Sequence, residues 1–285
     1  MIPAQIVSDW RIHAPWPDDD DVEQDLILTR MLLAIYSDPF LSEKLAFRGG
    51  TCLNKLFWPI PVRYSEDLDF VQINAEPAGK TIVALRKILD PLFEIKGKWD
   101  ARQHSYRINY SFQSEIGGGK RRIKIEINTR EHFTFEGHQK KILSMRSAWH
   151  SGKCEVVTFS LEELLATKLR ALYQRNKGRD MFDLWRSREL KPDWIKVVSI
   201  FLKYLKSSKN PVHRDMLNEN LKEKIMSARF LEDTGSLIMN QKEYDIREAA
   251  AFVTDKLYAQ VPESKTKESR KSKMKNARDR TNPTR

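Results

Sequence analysis

Two hydrophobic periods divide the chain into a first part that mixes helices with strands and a second part that is helical. Apolar residues recur every three to four positions along residues 22–36 and 78–93, a spacing that predicts amphipathic helices. Alternation along residues 102–113 and 121–129 predicts two strands, and the run of glycines between them predicts a hairpin turn.

The chain before the first of these helices is predicted to be mostly irregular. Three prolines interrupt the first 20 residues, and no apolar period is visible there. The acidic run at residues 18–21 fits the positive N-terminus of the helix that follows, so we interpret it as a helix cap and not as a metal site.

A stretch near residue 50 joins a strand to a helix through two glycines. Apolar residues at 45–47 lead to Gly49 and Gly50, and residues 52–58 have helical character until prolines end it. A strand that turns through glycines into a helix leaves backbone N–H groups pointing outward with no side chain in the way. The turn is therefore predicted to suit a phosphate.

The strand after this helix is predicted to have one acidic face. Alternation along residues 63–71 places Arg63, Ser65, Asp67 and Asp69 on the same side. Two close carboxylates repel each other unless a cation lies between them, and Mg²⁺ is typically bound by one or two carboxylates together with substrate phosphates. The pattern favours a phosphate cradle beside a metal site. The alternative is a solvated edge strand with an acidic face.

A third carboxylate lies on the second strand of the predicted hairpin. Glu126 stands among basic residues on the polar face of the strand, opposite a row of isoleucines. It either joins Asp67 and Asp69 at the metal or forms a cross-strand salt bridge, for which Arg107 is the candidate partner.

From residue 160 onward the periodicity is helical. Ser160 and Glu163 form a capping box ahead of a helix at 161–175, and Lys168 falls within its apolar stripe. Lys168 either extends its amine past the apolar surface to solvent or reaches an anion on the strand-containing part. Asp180 is interpreted as the cap of the next helix. Further helices are predicted at residues 193–205, 213–223 and 244–258.

These elements indicate an α+β fold. We expect an N-terminal domain at residues 1–155 with a mixed or antiparallel sheet and flanking helices, followed by a helical domain at residues 156–262 that completes the active-site cleft. Residues 263–285 form a basic tail with too few apolar residues to become ordered.

Charge is concentrated at the C-terminus. The formal net charge is +11, and residues 264–285 contribute nine Lys or Arg residues against two acidic residues. A basic excess favours binding to nucleic acid, although a basic tail alone is weaker evidence than a basic folded surface.

Several classes of protein are disfavoured by composition. Two cysteines are too few for a disulfide framework, and Cys52 is expected to pack in the core. The six histidines pair with no cysteine at zinc-ligand spacing. No apolar run reaches the length of a membrane span and no signal pattern is visible, so we expect a cytoplasmic protein with no membrane contact.

Three segments occur in this order: FRGGTCLNK at residues 47–55, RYSEDLDF at residues 63–70 and KLRALYQRNKGRDMFD at residues 168–183. Together they resemble the AbiEii/AbiGii toxin family, which includes the MenT toxins of type IV toxin–antitoxin pairs and belongs to the polymerase-β-type nucleotidyltransferases. Each segment alone is weak evidence, whereas the three together in this order are specific.

The resemblance assigns roles to individual residues. Ser65 matches the active-site serine or threonine, Asp67 the metal-binding aspartate, and Asp69 the second acid. Lys168 matches a phosphate-contacting lysine and Asp183 a later essential aspartate. The double glycine occupies the turn where many relatives have Gly-Ser, so that Thr51 offers its hydroxyl one position later.

The implied activity is Mg²⁺-dependent transfer of a nucleotidyl group from an NTP to RNA, notably the 3′ end of tRNA. Growth arrest is the implied outcome, and an AbiEi-like antitoxin the genetic partner. We expect Gly49, Gly50 and Lys168, with Arg63 or Lys55, to hold the β- and γ-phosphates. Glu126 is the candidate base for the proton of the acceptor.

Two other functions remain open from the sequence. One is the same chemistry with a protein side chain or a small molecule as acceptor. The other is a non-catalytic nucleic-acid-binding module in which the acidic strand is simply solvated.

Overall fold

The computed structural model describes residues 2–207, 212–235, 237–238 and 243–264. The chain forms two compact units. The first contains the chain up to Leu164 together with Gly235 and residues 237–238, and the second contains the remaining described residues. The predicted basic tail lies outside the described residues from position 265 onward.

The first unit combines a seven-stranded sheet with helices. Its helices are α1 (Ala4–Trp10), α2 (Asp19–Ser37), α3 (Pro39–Lys44), α4 (Gly49–Leu56) and α5 (Gly79–Phe93). Its strands are β1 (Leu45–Arg48), β2 (Asp67–Gln72), β3 (Lys98–Ala101), β4 (Ser105–Gln113), β5 (Lys120–Asn128), β6 (Gln139–Arg146) and β7 (Ser151–Thr158).

The sheet is mixed, with strand order β3-β4-β5-β2-β1-β7-β6. β1 is antiparallel to β2 and parallel to β7, whereas β2 is parallel to β5. The two hairpins β4–β5 and β6–β7 are antiparallel and flank this centre. The predicted α+β fold, with its mixed sheet, flanking helices and later helical part, is confirmed.

The core lies on the apolar face of the sheet, as the alternation requires. Leu68 and Phe70 on β2 are buried, as are the three isoleucines of β5. The ring of Phe47 on β1 packs on that of Phe70, with centroids 5.3 Å apart. Tyr36 of α2 donates its hydroxyl to the carbonyl of Leu45 at 3.1 Å, which ties the long helix to β1. Cys52 is buried, as expected, and burial raises the pKa of its thiol to about 12.

The N-terminal segment contains a helix where we expected irregular chain. α1 has only seven residues, too few to show a period in the sequence. Trp10 at its end is buried, and its indole N–H donates to Asp25 of α2 at 2.9 Å. The predicted cap of α2 is confirmed, because Asp18 accepts a hydrogen bond from the backbone N–H of Asp20.

A distant piece of the chain completes the first unit. Arg63 forms an isolated antiparallel bridge with Ile238, and the backbone N–H of Tyr64 donates to the carbonyl of Leu237 at 2.8 Å. Both bridging residues are buried. The first unit is therefore assembled from two stretches separated by about 70 residues.

The second unit is helical. Its helices are α6 (Leu161–Gln174), whose first turn belongs to the first unit, α7 (Gly178–Arg186), α8 (Trp194–Ser207), α9 (Arg214–Ile225), α10 (Ala228–Gly235) and α11 (Ile246–Phe252). The α-helix predicted at 244–258 is shorter than expected, because after Phe252 the chain widens into one π turn and then tightens into one 3₁₀ turn.

The start of α7 differs from the prediction. Lys177 is its N-terminal flanking residue, so the interpretation of Asp180 as the helix cap is wrong. Asp233 of α10 instead accepts hydrogen bonds from the backbone N–H of Arg179, at 3.1 Å, and from the amine of Lys177, at 3.0 Å.

Candidate active site

The glycine turn and the acidic strand meet in the first unit. Pairing of β1 with β2 places Arg48 opposite Asp69, immediately before Gly49. Gly49 has φ +87°, a conformation that residues with a Cβ rarely adopt. A Cβ at this position would lie 2.5 Å from Oδ2 of Asp69. Glycine is therefore required both by the backbone conformation and by the approach of the carboxylate.

Thr51 holds Ser65 and the start of β2 together. Its hydroxyl donates to the carbonyl of Asp67 at 2.6 Å and lies 2.8 Å from the hydroxyl of Ser65. Since Thr51 has one hydroxyl proton, Ser65 is the donor between the two hydroxyls. The expected phosphate-binding hydroxyl of Thr51 is thus engaged within the protein and is only 3% exposed.

Asp67 and Asp69 share the polar face of β2, as the alternation predicts. Leu68 and Phe70, which alternate with them, are buried on the opposite face, and both aspartates are partly exposed. The strand begins at Asp67 and not near residue 63. Ser65 therefore lies in the approach to the strand and not within it.

Asp69 differs from Asp67 and Glu126, each of which forms an ion pair. Within the described part of the chain it makes no hydrogen bond or ion pair. Burial raises its pKa, and the negative charges of Asp67 and Glu126 raise it further, against the opposing effect of Lys124 and Arg48. An unpaired carboxylate beside a second one is a donor set that fits Mg²⁺, which prefers oxygen ligands and one or two protein carboxylates.

Lys124 on β5 is the residue of this site that the sequence did not reveal. The parallel pairing of β2 with β5 places it opposite Asp67. Its amine lies 2.9 Å from Oδ2 of Asp67 and 3.5 Å from Oε2 of Glu126. Burial alone would lower the pKa of Lys124, but the hydrogen bond to Asp67 and the surrounding carboxylates raise it overall.

Glu126 forms the cross-strand salt bridge that was the alternative to a metal role. Arg107 lies opposite it on β4 and donates to its two oxygens at 3.1 and 3.3 Å, and Ser105 adds a third bond at 3.2 Å. Although burial opposes ionisation, Arg107 and Lys124 lower the pKa of Glu126. Across the described ranges no group of three or more His, Cys, Asp or Glu side chains is arranged to hold a metal ion. The structure thus shows the cross-strand salt bridge, and a metal role for Glu126 stays a prediction.

Two expected phosphate ligands are held inside the first unit. Arg63 is 1% exposed and donates through Nη1 to the carbonyl of Tyr64 at 2.8 Å, and its other terminal nitrogen lies directly against Gly50. Lys55 pairs with Asp25 at 2.5 Å, close to the ring of Trp10. Their contacts tie α4 to the rest of the unit.

Lys168 and Asp183 belong to the second unit, where they are directly paired. The amine of Lys168 lies 2.8 Å from Oδ2 of Asp183 and 3.2 Å from Oδ1 of Asp180. Arg175 also binds Asp180 through two hydrogen bonds at 2.6 and 2.8 Å. Burial alone would raise the pKa of Asp180, but the charges of Lys168 and Arg175 lower it overall. Lys168 is 7% exposed, so it does not extend to solvent as the simpler interpretation required.

A family profile described as the AbiEii nucleotidyltransferase toxin of type IV toxin–antitoxin systems matches residues 30–252. This match spans well over half of the chain and includes all three segments singled out above. The chain belongs to the AbiEii family. It is therefore a nucleotidyltransferase, and the family implies an NTP substrate and an antitoxin partner. A non-catalytic nucleic-acid-binding module does not agree with this membership.

Solved structures share the fold of this AbiEii protein at low sequence identity. MenT4, a nucleotidyltransferase toxin from Mycobacterium tuberculosis H37Rv, is similar with a TM-score of 0.66 and 16% identity, over 95% of this chain and 93% of that one. JHP933 from Helicobacter pylori is similar with a TM-score of 0.52 and 15% identity, over 92% of this chain and 99% of that one. No curated protein sequence matches the chain.

In the residues that the structure describes, no helix is both long enough and apolar enough to cross a bilayer.

Proposed function

We propose that this AbiEii protein transfers a nucleotidyl group from an NTP to the 3′ end of an RNA, specifically a tRNA, in a Mg²⁺-dependent reaction that arrests growth. One observation carries the proposal. The glycine turn that opens α4 lies directly against Asp69, so a phosphate-binding backbone and an acidic pair share one place in the first unit. An AbiEi-like antitoxin is the proposed genetic partner.

Asp67 and Asp69 are the proposed metal ligands. When bound, the ion would neutralise charge on the triphosphate. The backbone N–H groups of Gly49 and Gly50 would donate to phosphate oxygens, because the first N–H groups of a helix have no intrahelical partner. Ser65 donates to Thr51, which in turn donates to the carbonyl of Asp67, and Ser65 is the proposed active-site hydroxyl.

In the second unit, Lys168 is the proposed phosphate ligand and Asp183 the proposed essential carboxylate. Their ion pair supports these roles, since it fixes the orientation of the amine. Arg63 and Lys55 are better explained as supports of the turn, because each is already bound within the first unit.

The reaction forms a bond between an acceptor hydroxyl oxygen and the α-phosphorus of the NTP. The bond between the α-phosphorus and the oxygen that bridges to the β-phosphorus breaks, and pyrophosphate leaves. We assign the proton of the hydroxyl to solvent. Glu126 is a poor base for it because Arg107 and Lys124 lower its pKa, whereas an effective base has a pKa near the working pH.

An RNA acceptor agrees with the basic charge of the chain. The formal net charge is +11, and phosphate contacts with Lys and Arg provide most of the non-specific affinity of a protein for nucleic acid. The charge supports a polyanionic acceptor, and the family resemblance supports the tRNA 3′ end.

The test incubates the purified protein with Mg²⁺, each α-labelled NTP and total RNA. We expect label in a tRNA-sized band, lost on replacing Asp67→Asn and retained in Glu66→Gln, a matched change at the exposed neighbouring acid. Label on protein or on a small molecule would replace the proposed acceptor. No transfer to any acceptor would overturn the proposed function.

A further inference from the structure

Charged side chains form a row across four strands on the polar face of the sheet. Strand pairing places Arg48, Asp69, Glu126 and Arg107 side by side on β1, β2, β5 and β4. Lys124 lies two residues before Glu126 on β5, opposite Asp67. Three carboxylates are thus surrounded by three cations, and one of these cations lies directly on a proposed metal ligand.

We propose that Lys124 is the resident counter-ion of Asp67 in the metal-free protein, and that a divalent ion bound by Asp67 and Asp69 displaces it. The inference rests on the proposed function in one respect, which is that these two aspartates bind a divalent ion. It adds a residue to which neither the sequence nor the family resemblance gave a role.

The distances assign Lys124 to Asp67 and not to Glu126. The amine is 2.9 Å from Asp67 and 3.5 Å from Glu126. Glu126 is already bound by two nitrogens of Arg107 and the hydroxyl of Ser105, which satisfy both of its oxygens. Lys124 is therefore not needed to complete the salt bridge of Glu126.

An ammonium group and a divalent ion compete for one carboxylate. Both bind through its oxygens, and two cations held at such close range repel each other strongly in a partly buried site. Lys124 is 26% exposed on a flexible stem, so its amine can leave Asp67 by rotation about side-chain bonds. Glu126 lies next to it and provides a second negative partner after displacement.

Lys124 also helps the acidic pair to persist without a metal. Its amine, 2.9 Å from Asp67, reduces the repulsion between the two carboxylates, because it neutralises one of them.

The first experiment titrates the nucleotide-free protein with Mn²⁺ and follows free Mn²⁺ by electron paramagnetic resonance. We expect Lys124→Ala and Lys124→Gln each to bind Mn²⁺ about tenfold more tightly than the wild type, since the competing charge is gone. The glutamine variant retains most of the side-chain length, which limits the loss of packing. Lys120→Ala, at an exposed position on the same strand, is the control and should bind Mn²⁺ with wild-type affinity.

The second experiment measures displacement directly by acetylating amines and quantifying each lysine by mass spectrometry. Addition of Mn²⁺ should increase the labelling rate of Lys124 in the wild type and leave that of Lys120 unchanged. Unchanged or weaker Mn²⁺ affinity in both Lys124 variants, or unchanged labelling of Lys124, would overturn the inference while leaving the proposed function intact. Absence of Mn²⁺ binding to the wild type, together with absence of nucleotidyl transfer, would overturn both.

Discussion

The carboxylate of Asp69 occupies the place where any side chain at position 49 would begin. Oδ2 of Asp69 lies 2.5 Å from the position of a Cβ on Gly49, and Gly49 itself has a left-handed backbone. The turn and the acid therefore constrain each other. Four predictions follow from this and from the other contacts of the two units.

Gly49→Ala should impair catalysis more than folding. The left-handed conformation costs a residue with a Cβ about 1–2 kcal/mol, and the added methyl must push Asp69 aside. We expect nucleotidyl transfer to fall about 100-fold, the effect of a displacement of about 1 Å at a catalytic group. Label transfer and urea unfolding measure the two effects.

Gly118→Ala is the matched control for this change. Gly118 also has positive φ, at +66°, but no atom lies within 4 Å of its Cβ position. This variant should lose similar stability and retain transfer. Equal loss of transfer in both variants would show that the contact with Asp69 is unimportant.

Asp69→Asn should abolish transfer and stabilise the metal-free protein at neutral pH. Because the pKa of Asp69 is raised in the folded protein, its contribution to stability is present at low pH and is lost as pH rises through the folded pKa. The asparagine variant lacks this loss. Its melting temperature should exceed that of the wild type at pH 7, and the difference should disappear at pH values below the ordinary carboxyl pKa.

The same melting experiment with added Mg²⁺ should give the opposite order of stability changes. Adding it at pH 7 should raise the melting temperature of the wild type, because a ligand that binds only the folded state stabilises it. The Asp69→Asn variant should respond less. A lower melting temperature of the variant in metal-free buffer would contradict the electrostatic account of this site.

Glu126→Gln should reduce kcat less than tenfold, whereas Asp67→Asn should reduce it about 1000-fold. Glu126 is bound to Arg107 and Ser105 and is not the proposed base, so its charge acts mainly on its neighbours. Loss of this partly exposed salt bridge should cost about 0.5–1 kcal/mol of stability. Steady-state kinetics decide the matter: a loss in Glu126→Gln as large as that in Asp67→Asn would place Glu126 in the chemistry.

Lys168→Met should destabilise the protein strongly, by about 3 kcal/mol. The change removes the amine that lies 2.8 Å from the buried carboxylate of Asp183 and 3.2 Å from that of Asp180. Lys168→Arg retains the charge and should lose less stability. The double change Lys168→Met with Asp183→Asn should recover part of the loss, and urea unfolding without any recovery would argue against the pairing.

Local patterns predicted the acidic face correctly because they depend on neighbouring residues alone. The side-chain alternation of a strand is enough to place Asp67 and Asp69 opposite the buried Leu68 and Phe70. The alternative reading of Glu126 also followed from a local hairpin, in which the register brings Arg107 opposite it.

Contacts between segments that are distant in the sequence could not be predicted from local patterns. Lys124 meets Asp67 only because β2 and β5 pair in parallel, and nothing near either residue encodes that register. Lys55 had the appearance of a phosphate ligand, but its partner Asp25 lies on a helix 30 residues earlier. α1 escaped prediction because a seven-residue helix depends on the packing of Trp10 and not on its own periodicity.

The bridge between Arg63 and Ile238 has a consequence for synthesis on the ribosome. Gly49, Asp67 and Asp69 are synthesised long before Leu237 and Ile238, the residues that pair with the approach to β2. The first unit is thus completed only after about 70 residues of the second unit have been translated. Any shorter fragment, ending before Leu237, lacks both backbone contacts that hold the approach to β2.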